Sequence, residues 1–153
     1  MGFDDLDVRQ GCVKQADALG RVMWAAIHEG PSLYSTAQRT AWCPHAPQGQ
    51  QWQERLAGQR IWIAGAPPVG FVTLADGGYV DFAYVLPKAQ GQGVFRALML
   101  VLEAVASGPR LWTHASLMAQ PAFAALGYDI VHHEEIARGD QTLHRALMEK
   151  MRT

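Results

Sequence analysis

The 153-residue chain carries 13 basic and 14 acidic residues for a formal charge of -1, with 49% apolar and 18% charged residues. High hydrophobicity with little net charge excludes a disordered chain, and balanced charge excludes the basic footprint of a nucleic-acid binder. The length fits one domain over residues 1–153, large enough to bury its own core.

The first helix begins near Ala16, where Leu19, Val22, Met23, Ala26 and Ile27 form one apolar stripe, and Gly30–Pro31 stops it. Ser35 is placed to cap a short helix reaching Trp42, Pro44–Gly49 reads as loop, and a further short helix spans about Gln50 to Leu56. Arg60–Ala64, Val69–Ala75 and Tyr79–Leu86 are β-branched or aromatic runs separated by turn signals, which predicts antiparallel strands joined by hairpins. Val94–Ala106 reads as a helix whose only charges, Arg96 and Glu103, are seven residues apart, so most of it is expected to be buried. Leu111–Ala115 is a strand, Leu117–Leu126 a helix closed by Gly127, Tyr128–Ile136 a strand, and Arg138–Gly139–Asp140 a turn. Thr142–Met151 stays open: its composition favours a helix, the preceding turn a returning strand. Strands first and strand–helix–strand afterwards describe an α+β domain with a mixed, mostly antiparallel sheet flanked by helices.

Two cysteines, Cys12 and Cys43, cannot build a disulfide framework, and the six histidines have no zinc-ligand spacing, so no metal is expected. Met1–Asp7 holds three aspartates and no apolar stretch, unlike a signal peptide. The longest runs without Asp, Glu, Lys or Arg, Leu111–Tyr128 and Ile61–Ala75, fall short of the about 20 apolar residues a membrane span needs. The expectation is a cytoplasmic protein without a membrane partner; its low charge is compatible with a homodimer.

Chemistry concentrates in Val85-Leu86-Pro87-Lys88-Ala89-Gln90-Gly91-Gln92-Gly93-Val94-Phe95-Arg96, a strand end, a glycine-rich loop and a helix start. Free amides at a helix N-terminus suit phosphate oxygens, although an ordinary strand-to-helix turn would use the same glycines. The loop is neither a P-loop nor a dinucleotide fingerprint. Asp81, a carboxylate inside an apolar strand, needs a wet cleft or a partner. Strict alternation puts Tyr79, Asp81, Ala83 and Val85 on one face and Val80, Phe82, Tyr84 and Leu86 on the other. Asp81 is thus a general base acting through water, an electrostatic anchor for a cationic acceptor, or a structural hydrogen-bonding group. Ser116, after the Leu111–Ala115 strand, is either a site residue or a helix N-cap. Tyr79 and Tyr84 are candidate acids or packing residues, and His28 a helix C-terminal histidine.

The glycine loop resembles motif A of the GNAT superfamily of acyl-CoA-dependent N-acetyltransferases, Q/R-x-x-G-x-G/A, with Gln90 and Gly93 at fixed positions and Phe95 in place of the last small residue. Tyr34–Gln38 with Ala41–Pro44, Asp76–Asp81, and Ala115–Ser116 followed by Pro121–Tyr128 are similar to further blocks of that family, in order. The resemblance implies splayed parallel strands four and five with acyl-CoA in the wedge. It implies cofactor contacts from Tyr84, Val85 and Leu86, from the backbone of Gln90, Gly91, Gln92, Gly93, Val94, Phe95 and Arg96, and from Ser116 and Phe123. With Ser116 at a position where the family often presents a polar side chain, the candidate catalytic residues are Asp81, Ser116 and Tyr79, and His28, Tyr34 and Trp42 are expected near the acceptor mouth. Phe123 stands where many members place a tyrosine acid. The implied activity is acetyl transfer from acetyl-CoA to an amine of a small molecule or peptide. A catalytically weak acyl-CoA-binding module and an interaction subunit are the rivals.

Overall fold

Near-continuous apolar runs in Arg60–Ala64 and Gly70–Ala75 let the central strands bury both faces, and this dictates a layered architecture. The computed structural model describes residues 7–152, so the acidic N-terminal segment lies outside the described residues except for Asp7. The elements are β1 (Val8–Gln10), α1 (Ala16–His28), α2 (Thr36–Trp42), α3 (Gly49–Ala57), β2 (Arg60–Ala64), β3 (Gly70–Ala75), β4 (Tyr79–Val85), α4 (Val94–Val105), β5 (Arg110–Ser116), α5 (Gln120–Ala125), β6 (Asp129–Arg138) and β7 (Gln141–Met151). They form one seven-stranded mixed sheet in the order β1-β2-β3-β4-β5-β7-β6. Every neighbouring pair is antiparallel except β4 and β5, which run parallel.

The alternation in β2 shows how two cores arise. Ile61 and Ile63 pack with Leu19, Val22, Trp52 and Phe71 beneath α1 and α3. Trp62 and Ala64 face the other way, with Val72, Leu98 and Leu102 beneath α4. Helix α4 comes close to the sheet at Gly70, where an added Cβ would lie 3.1 Å from Val94 and 3.2 Å from Leu98. On α2, Ser35 accepts from the Gln38 amide while the Gln38 side chain accepts from the Ser35 amide, a capping box.

Several expectations need correction. Strand β1 is an additional edge strand, three residues long and too short for a periodic signal. The stripe of α1 buries Ala25 rather than Ala26. Helix α4 is half-buried: Val94, Leu98, Met99 and Leu102 are inside, whereas Leu100 is 52% exposed. Glu103 is held by the Tyr128 hydroxyl (3.0 Å) and Lys150 (2.7 Å) rather than by solvent. The helix expected over Leu117–Leu126 narrows to α5, preceded by a turn that Ser116 caps. The open segment is strand β7, because pairing with β5 on one side and β6 on the other outweighs a helix-favouring composition. Among the described residues no helix is long and apolar enough to cross a membrane.

Candidate active site

Two departures from regular pairing create the site. Strands β4 and β5 pair only at Tyr79–Trp112 and Val80–Thr113 and then separate, leaving a wedge between the remainder of β4 and the end of β5. At the fork, the buried Thr113 hydroxyl donates to the Val80 carbonyl at 2.8 Å. The second departure is a bulge. Val72 lies opposite Ala83 and Leu74 opposite Val80, so Thr73 alone faces both Asp81 and Phe82. The Phe82 amide donates to the buried Thr73 hydroxyl at 3.0 Å. The extra residue breaks the expected alternation. Tyr79 and Asp81 open onto the same pocket as Phe82 and Tyr84, while Val80 and Val85 pack in the core under α4.

The wedge continues into a cleft of about 400 Å³. One wall is Ala83–Val85, the other Ser116, Ala119, Ala122 and Leu126, and the glycine loop closes one end. Gly93 is the left-handed N-cap of α4 at φ 87°, and Gly91 has φ 76°. At both positions the space a Cβ would occupy is empty. A backbone turn with free amides at a twelve-residue helix start, open in front and lined by Arg96, suits a phosphate group. The Gln90 side chain donates to the Val85 carbonyl at 3.0 Å, tying the loop to the end of β4. Gln92 likewise donates to Lys88 O at 3.1 Å.

A second pocket of about 230 Å³ shares Trp42, Tyr84 and Ser116 with the cleft. Asp81 lies in it with its charge already met. Its oxygens accept from Arg55 (2.9 and 3.2 Å) and from Gln59 (2.7 Å), and the Arg55 guanidinium rests 4.5 Å from the Phe82 ring centroid. Beside it the Tyr79 hydroxyl lies 2.9 Å from His114 Nδ1, and His114 Nε2 lies 3.6 Å from Glu134. The carboxylate favours the tautomer with the proton on Nε2, which leaves Nδ1 to accept from Tyr79. Burial, and next the Arg145 charge, hold the His114 pKa below the ordinary 6.5. Burial, and next Asp81, push the Tyr79 hydroxyl upward, so it stays protonated at neutral pH. Arg145 anchors Glu134 at 2.5 Å and, as the largest cause, holds its carboxyl below the usual range.

Of the residues singled out in the sequence, Tyr84, Val85, Gln90, Gly91, Gly93, Val94, Phe95, Arg96 and Ser116 line the cleft. Leu86 and Gln92 do not, and Phe123 is 2% exposed in the core beneath the cleft wall. Phe95 turns onto Phe123 edge to face, with centroids 5.0 Å apart, so its bulk is taken up beside the core. Tyr79, Asp81, Tyr34 and Trp42 line the second pocket. The Tyr34 hydroxyl is fully engaged, donating to the His144 carbonyl and accepting from the Leu117 amide. His28 stands apart, donating from Nε2 to the Cys43 carbonyl at 2.6 Å. Ser116 Oγ accepts from the Ala119 amide at 3.2 Å and keeps its proton free to donate into the junction. Sequence reasoning missed His114, Arg138 and Arg145. His114 shares a face of β5 with Trp112 and Ser116, a visible signal, but Arg138 and Arg145 reach the site only through the β5-β7-β6 pairing.

Residues 31–146 match the family model described as an acetyltransferase (GNAT) domain. No curated protein matches the sequence. Among solved structures, the chain is similar to a GCN5-related N-acetyltransferase from Rhodopseudomonas palustris, at 27% identity and TM-score 0.85 over 95% of both chains. It shares its fold with a phosphinothricin acetyltransferase from Sinorhizobium meliloti in complex with acetyl-CoA, at 14% identity and TM-score 0.71 over 95% of this chain and 88% of that one. The same holds for an N-acetyltransferase from Thermoplasma acidophilum in complex with coenzyme A, at 14% identity and TM-score 0.69 over 95% and 98%. With its parallel β4–β5 fork, glycine-loop cleft and a family match over most of its length, this chain belongs to the GNAT acetyltransferases.

Proposed function

We propose that this enzyme transfers acetyl from acetyl-CoA to a primary amine by direct attack in a ternary complex. The observation that carries the reading is the junction at Trp42, Tyr84 and Ser116, where the glycine-loop cleft and the second pocket meet. Bound acetyl-CoA supplies a thioester whose acyl carbon takes the amine lone pair and whose C–S bond breaks to release thiolate.

The chain's own groups fit the rest. The free loop amides from Gly91 to Val94 bind the pyrophosphate, with charge from Arg96, and the Ala83–Val85 backbone runs beside the pantetheine. The Ser116 hydroxyl donates a hydrogen bond to the departing thiolate and keeps its proton. An amine with a pKa of about 8 to 10 arrives mostly protonated at neutral pH; it gives one proton to solvent before attack and must lose another during it. The second leaves by Tyr79: its oxygen takes the amine proton as its own proton passes to His114 Nδ1, and Glu134 faces the resulting imidazolium. Asp81 has an electrostatic role, fixing Arg55 over Phe82, because its oxygens are committed to Arg55 and Gln59. A covalent acyl-cysteine route is disfavoured. Burial pushes the Cys43 thiol up to about 11, its Sγ donates to the His45 carbonyl, and Cys12 is absent from both pockets.

The test is steady-state kinetics with acetyl-CoA and a panel of primary amines, read by release of free thiol. Intersecting double-reciprocal lines, with no thiol released in the absence of amine, are expected. Parallel lines with a burst of thiol before amine is added would overturn direct attack.

A further inference from the structure

The second pocket has a charge pattern that selects its occupant. Three guanidinium groups line it, from Arg55, Arg138 and Arg145, against one carboxylate, Asp81. Two are already committed. Arg55 is paired with Asp81 and stacked on Phe82, and Arg145 holds Glu134 at 2.5 Å. Arg55 is held through Nε and Nη2 and Arg145 through Nε, so the charge of each is already neutralised by its own carboxylate and neither brings an unpaired charge to the pocket. Arg138 differs. Its one protein hydrogen bond runs from Nη1 to the Ala137 carbonyl at 3.3 Å, and among the described residues no carboxylate lies within 4 Å of it.

Arg138 also combines exposure to solvent with a place in the pocket lining. It pairs with Gln141 at the end of the β6–β7 hairpin, beyond the Ser116–Arg145 rung at which β5 stops. The hairpin is fastened from the opposite side of the pocket. Gln38 donates to the Thr142 carbonyl at 2.8 Å and Tyr34 to the His144 carbonyl at 2.5 Å. The free guanidinium is therefore carried on a fixed strand end facing the same volume as Tyr79 and His114.

We infer that the acceptor is a small primary amine that also bears a carboxylate, which Arg138 binds while the amine lies at the Tyr79–Ser116 end of the pocket. This rests on the acetyl-transfer reading and narrows its substrate class. An amino acid satisfies both ends: the carboxylate matches the forked guanidinium donors, and the amine is left free for the proton route through Tyr79. A polycationic amine meets a pocket with excess positive charge, and Asp81 is already neutralised by Arg55. The pocket volume of about 230 Å³ also suits a molecule of amino-acid size.

The experiment measures binding to the CoA-saturated protein by calorimetry for each common amino acid and for the amine left when its α-carboxylate is removed. At least one acid is expected to bind about tenfold to a hundredfold more tightly than its decarboxylated partner. Arg138→Gln should abolish that preference and Arg138→Lys should restore part of it. Arg21→Gln, which removes the same charge from an exposed position on α1, should leave it intact. If the decarboxylated amines bind as tightly across the panel, or Arg138→Gln retains the preference, the inference falls. The acetyl-transfer reading fails separately, through wild-type protein that does not respond to acetyl-CoA.

Discussion

Replacing Gly93 by valine should lower the affinity for acetyl-CoA by about a hundredfold while leaving the fold intact. Two effects act together. Gly93 sits at φ 87°, where a residue with a side chain costs on the order of 1–3 kcal/mol, and a β-branched one falls at the upper end. The chain can relieve that strain by rotating the Gly93 peptide, which turns the amides at the start of α4 away from the cleft. The side chain also fills the open space in front of the loop that the phosphate oxygens need. Gly93→Ala should fall between valine and the wild type, because it keeps the strain with less of the bulk. Calorimetric titration of acetyl-CoA checks the series, with circular dichroism as the control for folding. Equal affinity in all three proteins would remove the glycine loop from the cofactor site.

Replacing His114 by glutamine should lower kcat by about a hundredfold with little change in the KM for acetyl-CoA, the size expected when one positioned proton acceptor is lost. The pH profile separates catalysis from structure. Burial and Arg145 depress the His114 pKa below 6.5, so the ring is neutral and competent at pH 7. Wild-type kcat should therefore be full above that range and fall as pH drops through the lowered pKa. The groups facing His114 are Tyr79 from β4, Glu134 and His132 from β6, and Arg145 from β7, with Asp81 farther off. In His114→Gln the acid limb assigned to the ring should disappear. Stability follows the same sign. A histidine with a depressed folded-state pKa contributes stability above pH 6.5 that is lost on acidification, and the lowered Glu134 carboxyl adds a further loss below about pH 4.5. Thermal melts from pH 8 to pH 4 should show the first loss in the wild type and its absence in His114→Gln. An unchanged acid limb in the variant would exclude the ring as the proton acceptor.

The glycine loop and the helix after it were legible in the sequence because their information is local: positive-φ glycines, a proline, and an apolar helix start. The strand limits Arg60–Ala64 and Tyr79 onward could also be read from β-branched and aromatic runs. That Tyr79 and Asp81 share a face was legible, but not that Phe82 and Tyr84 join them in place of Ala83 and Val85, because one extra residue opposite Thr73 reverses the alternation from there on, and a bulge leaves no mark in a strand of ordinary composition. The Arg55–Asp81 pair and the Tyr79–His114–Glu134 chain are contacts between distant segments. They exist only once β5, β7 and β6 are in register. Thr142–Met151 was open for the same reason: its residues suit a helix locally, and two neighbouring strands decide otherwise.

The most direct test of the account is the melting temperature of the wild-type protein titrated with acetyl-CoA. A ligand that binds only the native state adds about 2.7 kcal/mol at a hundred times its Kd, which for a domain of this size raises Tm by roughly 5–10 °C. That rise is expected with acetyl-CoA and with CoA, and a much smaller one in Gly93→Val at the same concentration. A wild-type Tm unmoved at millimolar acetyl-CoA would contradict it.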